Sequence, residues 1–117
     1  MTLALAHITF DCADARQLAG FWAQALGKAV DDGAEPFFAS IGYPAPPGAQ
    51  AWLFLQVPEG KASKNRMHLD LTASDGGRDA EVARLVGLGA SKVDDHDEYG
   101  HQWTVMLDPE GNEFCVA

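Results

Sequence analysis

The stretch HITFDCADARQLAGFWAQALG, residues 7–27, is repeated in outline by HLDLTASDGGRDAEVARLVGLG, residues 68–89. Each copy opens with a histidine, His7 or His68, in an alternating apolar stretch typical of a β-strand. An amphipathic helix follows in each copy and ends on Leu-Gly, where glycine is a common helix C-cap. Matched histidines in duplicated strands predict two halves that face each other across a shared pocket.

The apolar periodicity predicts one helix and several strands in each half. The predicted strands are 3–11, 28–32, 36–41, 51–57, 67–72, 91–94, 102–107 and 113–116. The stretch 94–102 is predicted to be an exposed loop, and DPEGN, residues 108–112, is predicted to be a turn. The first predicted helix follows Asp14, which is a suitable N-cap. The second predicted helix spans about residues 78–88. Each half also places an aspartate, Asp14 or Asp75, seven residues after its histidine. The order βαβββ, present twice, predicts an α+β fold with the helices on one face of a curved mixed sheet around a cleft.

Length and composition restrict the class of protein. A chain of 117 residues is expected to form one domain, with modules at about 1–58 and 66–117 and a linker at 59–65. The net charge of −9 argues against a nucleic-acid partner and is compatible with a cationic ligand. No apolar run is long enough for a membrane span, so we expect a cytoplasmic protein with both cysteines as free thiols.

The residues expected to contact a ligand follow from the faces of the predicted strands. In each opening strand the wholly apolar face is expected to pack under the helix, which leaves the histidine face toward the pocket. Trp22 is assigned to the core, because its helix covers the other face. The predicted ligand contacts are Thr9, Trp52, Phe54, Gln56, Asp70, Trp103 and Val105. Core packing is the alternative for the aromatic members of this set.

The tail WTVMLDPEGNEFCVA, together with HITFDCAD and MHLDL, resembles the vicinal oxygen chelate superfamily, and within it the glyoxalase-like and bleomycin-resistance-like domains. The resemblance covers almost the whole chain. It implies two βαβββ modules around a cleft, usually in a homodimer. Superfamily members include metal-dependent lyases, isomerases and dioxygenases, and also metal-free proteins that bind antibiotics, so the resemblance leaves the function open.

The resemblance implies metal ligands on the first and last strands of the modules, and His7, His68 and Cys115 stand at such positions. Cys115 replaces a glutamate that is usual there, and a cysteine ligand favours zinc. Glu113, two residues earlier, is a candidate ligand or a catalytic general base with a raised pKa. The alternative is that the histidines only form hydrogen bonds and Cys115 is a small buried residue.

Two functions remain open from the sequence. The first is a metal-assisted lyase, isomerase or dioxygenase that acts on a small organic molecule. The second is metal-free sequestration of a hydrophobic or cationic, antibiotic-like ligand. No Lys or Arg falls on the predicted cavity face of any strand, which argues against phosphate or phosphonate ligands.

Overall fold

The computed structural model describes residues 1–74 and 76–117, so Asp75 lies outside the described residues. The described chain divides into two compact units, 1–60 and 61–117. Neither helix in the described ranges is long and apolar enough to cross a membrane.

The first unit contains three strands and one helix. Its elements are β1 (His7–Cys12), α1 (Ala15–Leu26), β2 (Phe38–Ile41) and β3 (Ala51–Gln56). The sheet order is β1-β3-β2, with β3 parallel to β1 and antiparallel to β2. As predicted, Asp14 caps α1, and its carboxylate accepts a hydrogen bond from the Gln17 amide at 3.0 Å. Gly27 ends the helix at φ 67°, a left-handed conformation that glycine adopts without strain.

An aromatic cluster forms the core of the first unit. Phe10 stacks on Trp52 and Phe54, with ring centroids 5.8 and 5.3 Å apart. Trp22 of α1 lies 5.6 Å from Phe10 and 5.3 Å from Trp52, and it is only 1% exposed. The assignment of Trp22 to the core is therefore confirmed, and the helix covers the sheet face that carries Phe10.

The prediction of a strand at 28–32 is wrong, so the first unit reads βαββ. Asp31 donates one backbone hydrogen bond to Ser40, at 2.9 Å, but no ladder forms. Instead its carboxylate accepts the Ser40 hydroxyl at 2.7 Å and the amides of Gly42 and Tyr43 at 3.0 and 2.9 Å. The apolar spacing suggested a strand, whereas this aspartate fixes the turn that follows β2.

The second unit has the predicted order of one strand, one helix and three strands. Its elements are β4 (Leu69–Leu71), α2 (Gly77–Leu88), β5 (Ser91–Glu98), β6 (His101–Leu107) and β7 (Glu113–Val116). The sheet order is β4-β7-β6-β5, and β4 runs parallel to β7. Val82 and Leu85 of α2 are buried, as are Met106 and Phe114 of the sheet.

The stretch 94–102, predicted to be an exposed loop, is mostly strand. It forms the β5–β6 hairpin, in which Glu98 pairs with His101 across a two-residue turn. Tyr99 and Gly100 both have positive φ, 56° and 76°, as tight hairpin turns of the I′ type require. The prediction failed because β5 is an exposed edge strand whose acidic side chains hide the apolar alternation.

The DPEGN turn is confirmed between β6 and β7. Asp108 is 3% exposed, and its carboxylate accepts hydrogen bonds from the amides of Glu110 and Asn112 at 2.9 and 3.0 Å. The Asn112 side chain donates to the same carboxylate at 2.9 Å. The turn therefore fixes the start of β7, the strand that carries Cys115.

Candidate functional site

Three potential metal ligands converge at the β4–β7 edge of the second unit. Asp70 lies opposite Cys115 in the parallel pairing, and Val105 lies opposite Cys115 on the other side. Paired residues of neighbouring strands point to the same face of a sheet. His68 immediately precedes β4, two residues before Asp70, and its ring reaches the same face.

The side chains of this cluster are in contact. His68 Nδ1 lies 3.1 Å from Asp70 Oδ1 and 3.9 Å from Cys115 Sγ. One ligand atom from each of the three residues lies within 4.8 Å of the others. Cys115 is 8% exposed, whereas His68 and Asp70 remain open to solvent. The cluster offers nitrogen, oxygen and sulfur donors, and its His68 and Asp70 side chains are accessible to solvent.

The Cys115 thiol is held in its protonated form. Burial raises its pKa, and the negative charge of Asp70, together with a hydrogen bond from the thiol to that carboxylate, raises it further. The positive charge of Lys64 acts in the opposite direction but does not reverse the shift. A metal ion that binds here must therefore displace the thiol proton.

A cavity of about 530 Å³ adjoins the cluster. Its wall includes Trp103 and Val105 of β6, and the indole of Trp103 is stacked on His96 at 5.1 Å. The remaining lining residues are Lys64, His68, Asp70, Leu71, Glu98, Tyr99, His101, Gln102, Glu113, Cys115 and Ala117. Asp70, Trp103 and Val105 thus lie where ligand contact was predicted, and the contact itself stays a prediction.

Glu113 does not have the raised pKa that was expected of a general base. Burial opposes its ionisation, but hydrogen bonds from backbone amides, the Asn65 amide among them, and from the Lys61 ammonium outweigh burial and lower its pKa. The Asn65 amide donates to its carboxylate at 3.0 Å, and Lys61 Nζ lies 3.1 Å away. A carboxylate held this firmly as an anion is a weak base, so the expectation of a raised pKa is wrong.

Two predicted ligand contacts in the first unit belong instead to its core. Trp52 and Phe54 are 7% and 0% exposed and pair with Ile8 and Phe10, not with the histidine face of β1. The error lies in the choice of face, because both faces of β3 are apolar in sequence. The prediction that these two side chains line a ligand pocket is therefore wrong.

The other predicted residues of the first unit remain exposed. His7 lies at the start of β1, edge-on to the Tyr43 ring with centroids 5.3 Å apart. Thr9 is exposed on the same face of β1, and the Gln56 amide donates to the Ala13 carbonyl at 2.9 Å. The role of His7 as a metal ligand stays a prediction.

Sequence reasoning did not find Lys64 and Tyr99 of the cavity wall, and it misjudged Asp70. Asp70 was expected to contact the ligand, yet its spacing from His68 also makes it a candidate metal ligand. Lys64 escaped notice because it lies outside the strands, where only strand faces had been considered. Tyr99 was hidden in the stretch that was expected to be a loop.

The chain thus combines an α+β fold with a His-Asp-Cys cluster, a candidate metal site, beside a cavity with an aromatic wall. The family model described as a glyoxalase-like domain matches residues 7–117, so the chain belongs to that family. The match confirms the resemblance to the vicinal oxygen chelate superfamily. No curated protein matches the chain.

Solved structures show the same fold at low sequence identity. A glyoxalase/bleomycin resistance protein/dioxygenase family enzyme from Burkholderia phytofirmans PsJN is 19% identical with a TM-score of 0.77, and the match covers 97% of each chain. A mutant of the fosfomycin resistance protein FosX from Listeria monocytogenes, in complex with Mn(II) and 1S,2S-dihydroxypropylphosphonic acid, is 12% identical with a TM-score of 0.75, covering 99% of this chain and 90% of that chain. At these identities the likeness establishes the fold alone.

Proposed function

We propose that the second unit binds a zinc ion through His68, Asp70 and Cys115, and a small organic ligand in the adjoining cavity. The observation that carries this proposal is the convergence of three different donor atoms within 4.8 Å at the cavity wall. Protein sites with an imidazole, a carboxylate and a thiolate suit zinc and leave a coordination position open for a ligand oxygen.

The Cys115 thiol should make the site prefer zinc to the harder divalent ions. Manganese and magnesium prefer oxygen donors, whereas a thiolate favours zinc. The FosX relative holds Mn(II). We therefore expect this chain to prefer zinc over manganese, because Cys115 supplies sulfur at its site.

The cavity residues would hold the organic ligand beside the metal. The Trp103 ring and Val105 offer an apolar wall for a planar or aliphatic body. Zinc, when bound, would polarise a ligand oxygen as a Lewis acid. This arrangement suits a lyase, isomerase or dioxygenase, and equally a protein that binds its ligand without converting it.

Zinc titration of the metal-free protein, followed by isothermal calorimetry, tests the proposal. The wild-type protein should bind one zinc ion per chain, and Cys115→Ser should weaken binding at least tenfold. Cys12→Ser is the matched control, because Cys12 is the other buried cysteine and lies in the first unit. Absence of saturable zinc binding in the wild-type protein, or equal losses in both variants, would contradict the proposal.

A metal-free binding site is the second candidate. The contact of His68 Nδ1 with Asp70 at 3.1 Å and the hydrogen bond of the Cys115 thiol satisfy these polar groups without a metal. Glu98 and the exposed Tyr99 ring at the hairpin end of the cavity would suit a cationic ligand. This candidate gains support if the protein binds no zinc but an aromatic cation quenches its tryptophan fluorescence.

A homodimer also follows from the resemblance and stays a prediction. Light scattering of the eluted protein would distinguish the mass of two chains from that of one, which is 12.5 kDa.

A further inference from the structure

We propose that the cavity selects small organic anions, with Lys64 as the residue that pairs with the anionic group and Glu113 as the residue that positions Lys64. This inference rests on the proposed zinc site and adds the chemical class of its ligand. The sequence predicted no Lys or Arg on the cavity face of any strand, and Lys64 lies outside the strands.

Both ends of the segment 61–65 are fixed to the start of β7. At one end Lys61 Nζ lies 3.1 Å from a Glu113 carboxylate oxygen. At the other end the Asn65 amide donates to that carboxylate at 3.0 Å, and the Asn65 side chain donates to Asn112 at 3.4 Å. Lys64 lies between these anchors. The Glu113 carboxylate therefore holds both ends of segment 61–65, which we call the strap.

Lys64 lines the cavity, and it lies close enough to Cys115 for its charge to act on the thiol. It contributes to the cavity wall, and its positive charge favours ionisation of the Cys115 thiol. Its ammonium makes one long contact, 3.5 Å, with the Asn65 carbonyl. Within residues 1–74 and 76–117, no carboxylate forms an ion pair with Lys64.

The formal charges at this end of the cavity leave Lys64 uncompensated once zinc is bound. The carboxylate of Asp70 and the thiolate of Cys115 balance the two charges of the ion. Lys61 balances Glu113 in their ion pair. The charge of Lys64 then remains, and an anionic group on a ligand is the complement that this end of the cavity lacks.

The opposite end of the cavity favours a different part of the ligand. Glu98 pairs with His101, which lies four residues along β6 from Val105. At roughly 3.4 Å per residue, His101 and its partner Glu98 are about 14 Å along the sheet from Val105. The wall between these ends carries Trp103 and Val105. The ligand that fits is a monoanion with a planar apolar body, because Glu98 would repel a second negative charge.

Benzoate and benzamide are suitable probes, because they share a ring and nearly the same shape but differ in charge. Zinc-loaded protein should bind benzoate more tightly than benzamide, measured by calorimetry at low ionic strength. Lys64→Met should lower benzoate affinity about fivefold and leave benzamide affinity within twofold, as expected for a partly exposed charge pair. The preference should also weaken with added salt in the wild-type protein but not in Lys64→Met.

Lys28→Met, at an exposed position in the first unit, is the matched control and should keep the full preference. Zinc affinity is measured for every variant and should change less than threefold in Lys64→Met. If zinc binds but benzoate has no advantage over benzamide, or keeps its advantage in Lys64→Met, the anion proposal is wrong while the zinc site stands. If zinc does not bind to the wild-type protein, the proposed function itself is wrong.

Discussion

Asp70 and Cys115 are direct partners in the parallel pairing of β4 with β7, and this register places a carboxylate beside a thiol. The two residues are 45 positions apart in the sequence, yet they face the same cavity. Burial and then the charge of Asp70 raise the pKa of the Cys115 thiol. The two residues supply two of the three donors of the proposed zinc site.

Zinc affinity should rise with pH. Burial and then the charge of Asp70 raise the Cys115 pKa, so the thiol is protonated at neutral pH and zinc must displace its proton. The association constant should therefore increase by up to about tenfold per pH unit between pH 7 and 8.5. Competition calorimetry in buffers of different ionisation enthalpy measures the released proton. A constant that does not change with pH would exclude the thiolate as a ligand.

The Asp31 carboxylate should stabilise the first unit in a pH-dependent way. Burial opposes its ionisation, but hydrogen bonds from Tyr43, Ser40 and Gly42 lower its pKa. A lowered pKa means that the contribution is present above the ordinary carboxyl value of 3.8 and is lost as the pH falls through the folded value. Asp31→Asn should cost about 1–2 kcal/mol at pH 7. In thermal melts, the difference from wild type should shrink below pH 4, and a constant difference would contradict this prediction.

Glu113→Gln should test whether the Glu113 carboxylate positions Lys64. The glutamine keeps an oxygen for the Asn65 amide but loses the ion pair with Lys61. The benzoate preference of the zinc-loaded protein should fall at least twofold, whereas zinc affinity should change less than threefold and unfolding free energy by about 1 kcal/mol or less. Lys61→Met should give the same loss of preference. An unchanged preference in both variants would show that the strap does not depend on this ion pair.

Phe54→Ala should mainly lower the stability of the protein, whereas Trp103→Ala should mainly change its fluorescence response to a ligand. Phe54 is fully buried in the aromatic core of the first unit, and Phe54→Ala should cost about 3–5 kcal/mol in urea unfolding. Trp103 is partly exposed on the cavity wall, so Trp103→Ala should cost less but should remove ligand-induced fluorescence quenching. A larger loss of stability in Trp103→Ala than in Phe54→Ala would contradict these assignments.

Much of the fold could be predicted from local sequence. The helix after Asp14 depends on a side-chain cap, and the DPEGN turn depends on Asp108, so both are encoded within a few residues. The β5–β6 hairpin could not be predicted, since its edge strand is acidic on both faces. Its turn depends on a positive φ at Tyr99, a non-glycine residue.

The site was harder to predict than the fold, because it depends on pairing between distant strands. The sequence shows that Trp52 lies on an alternating strand, but only the register with β1 shows which face meets the helix. Similarly, the ion pair between Lys61 and Glu113 joins residues that are remote in sequence. Burial raises the Glu113 pKa, but hydrogen bonds from backbone amides and from the Lys61 ammonium outweigh burial and reverse the expected direction.

Cobalt(II) substitution gives the most direct test of the His68-Asp70-Cys115 site, because cobalt bound to a thiolate produces a sulfur-to-metal charge-transfer band in the near ultraviolet. Wild-type protein and Cys12→Ser should both show this band with one cobalt per chain, and Cys115→Ser should lack it. A cobalt spectrum in the wild-type protein with no thiolate band, or a band that survives in Cys115→Ser, would contradict the zinc site.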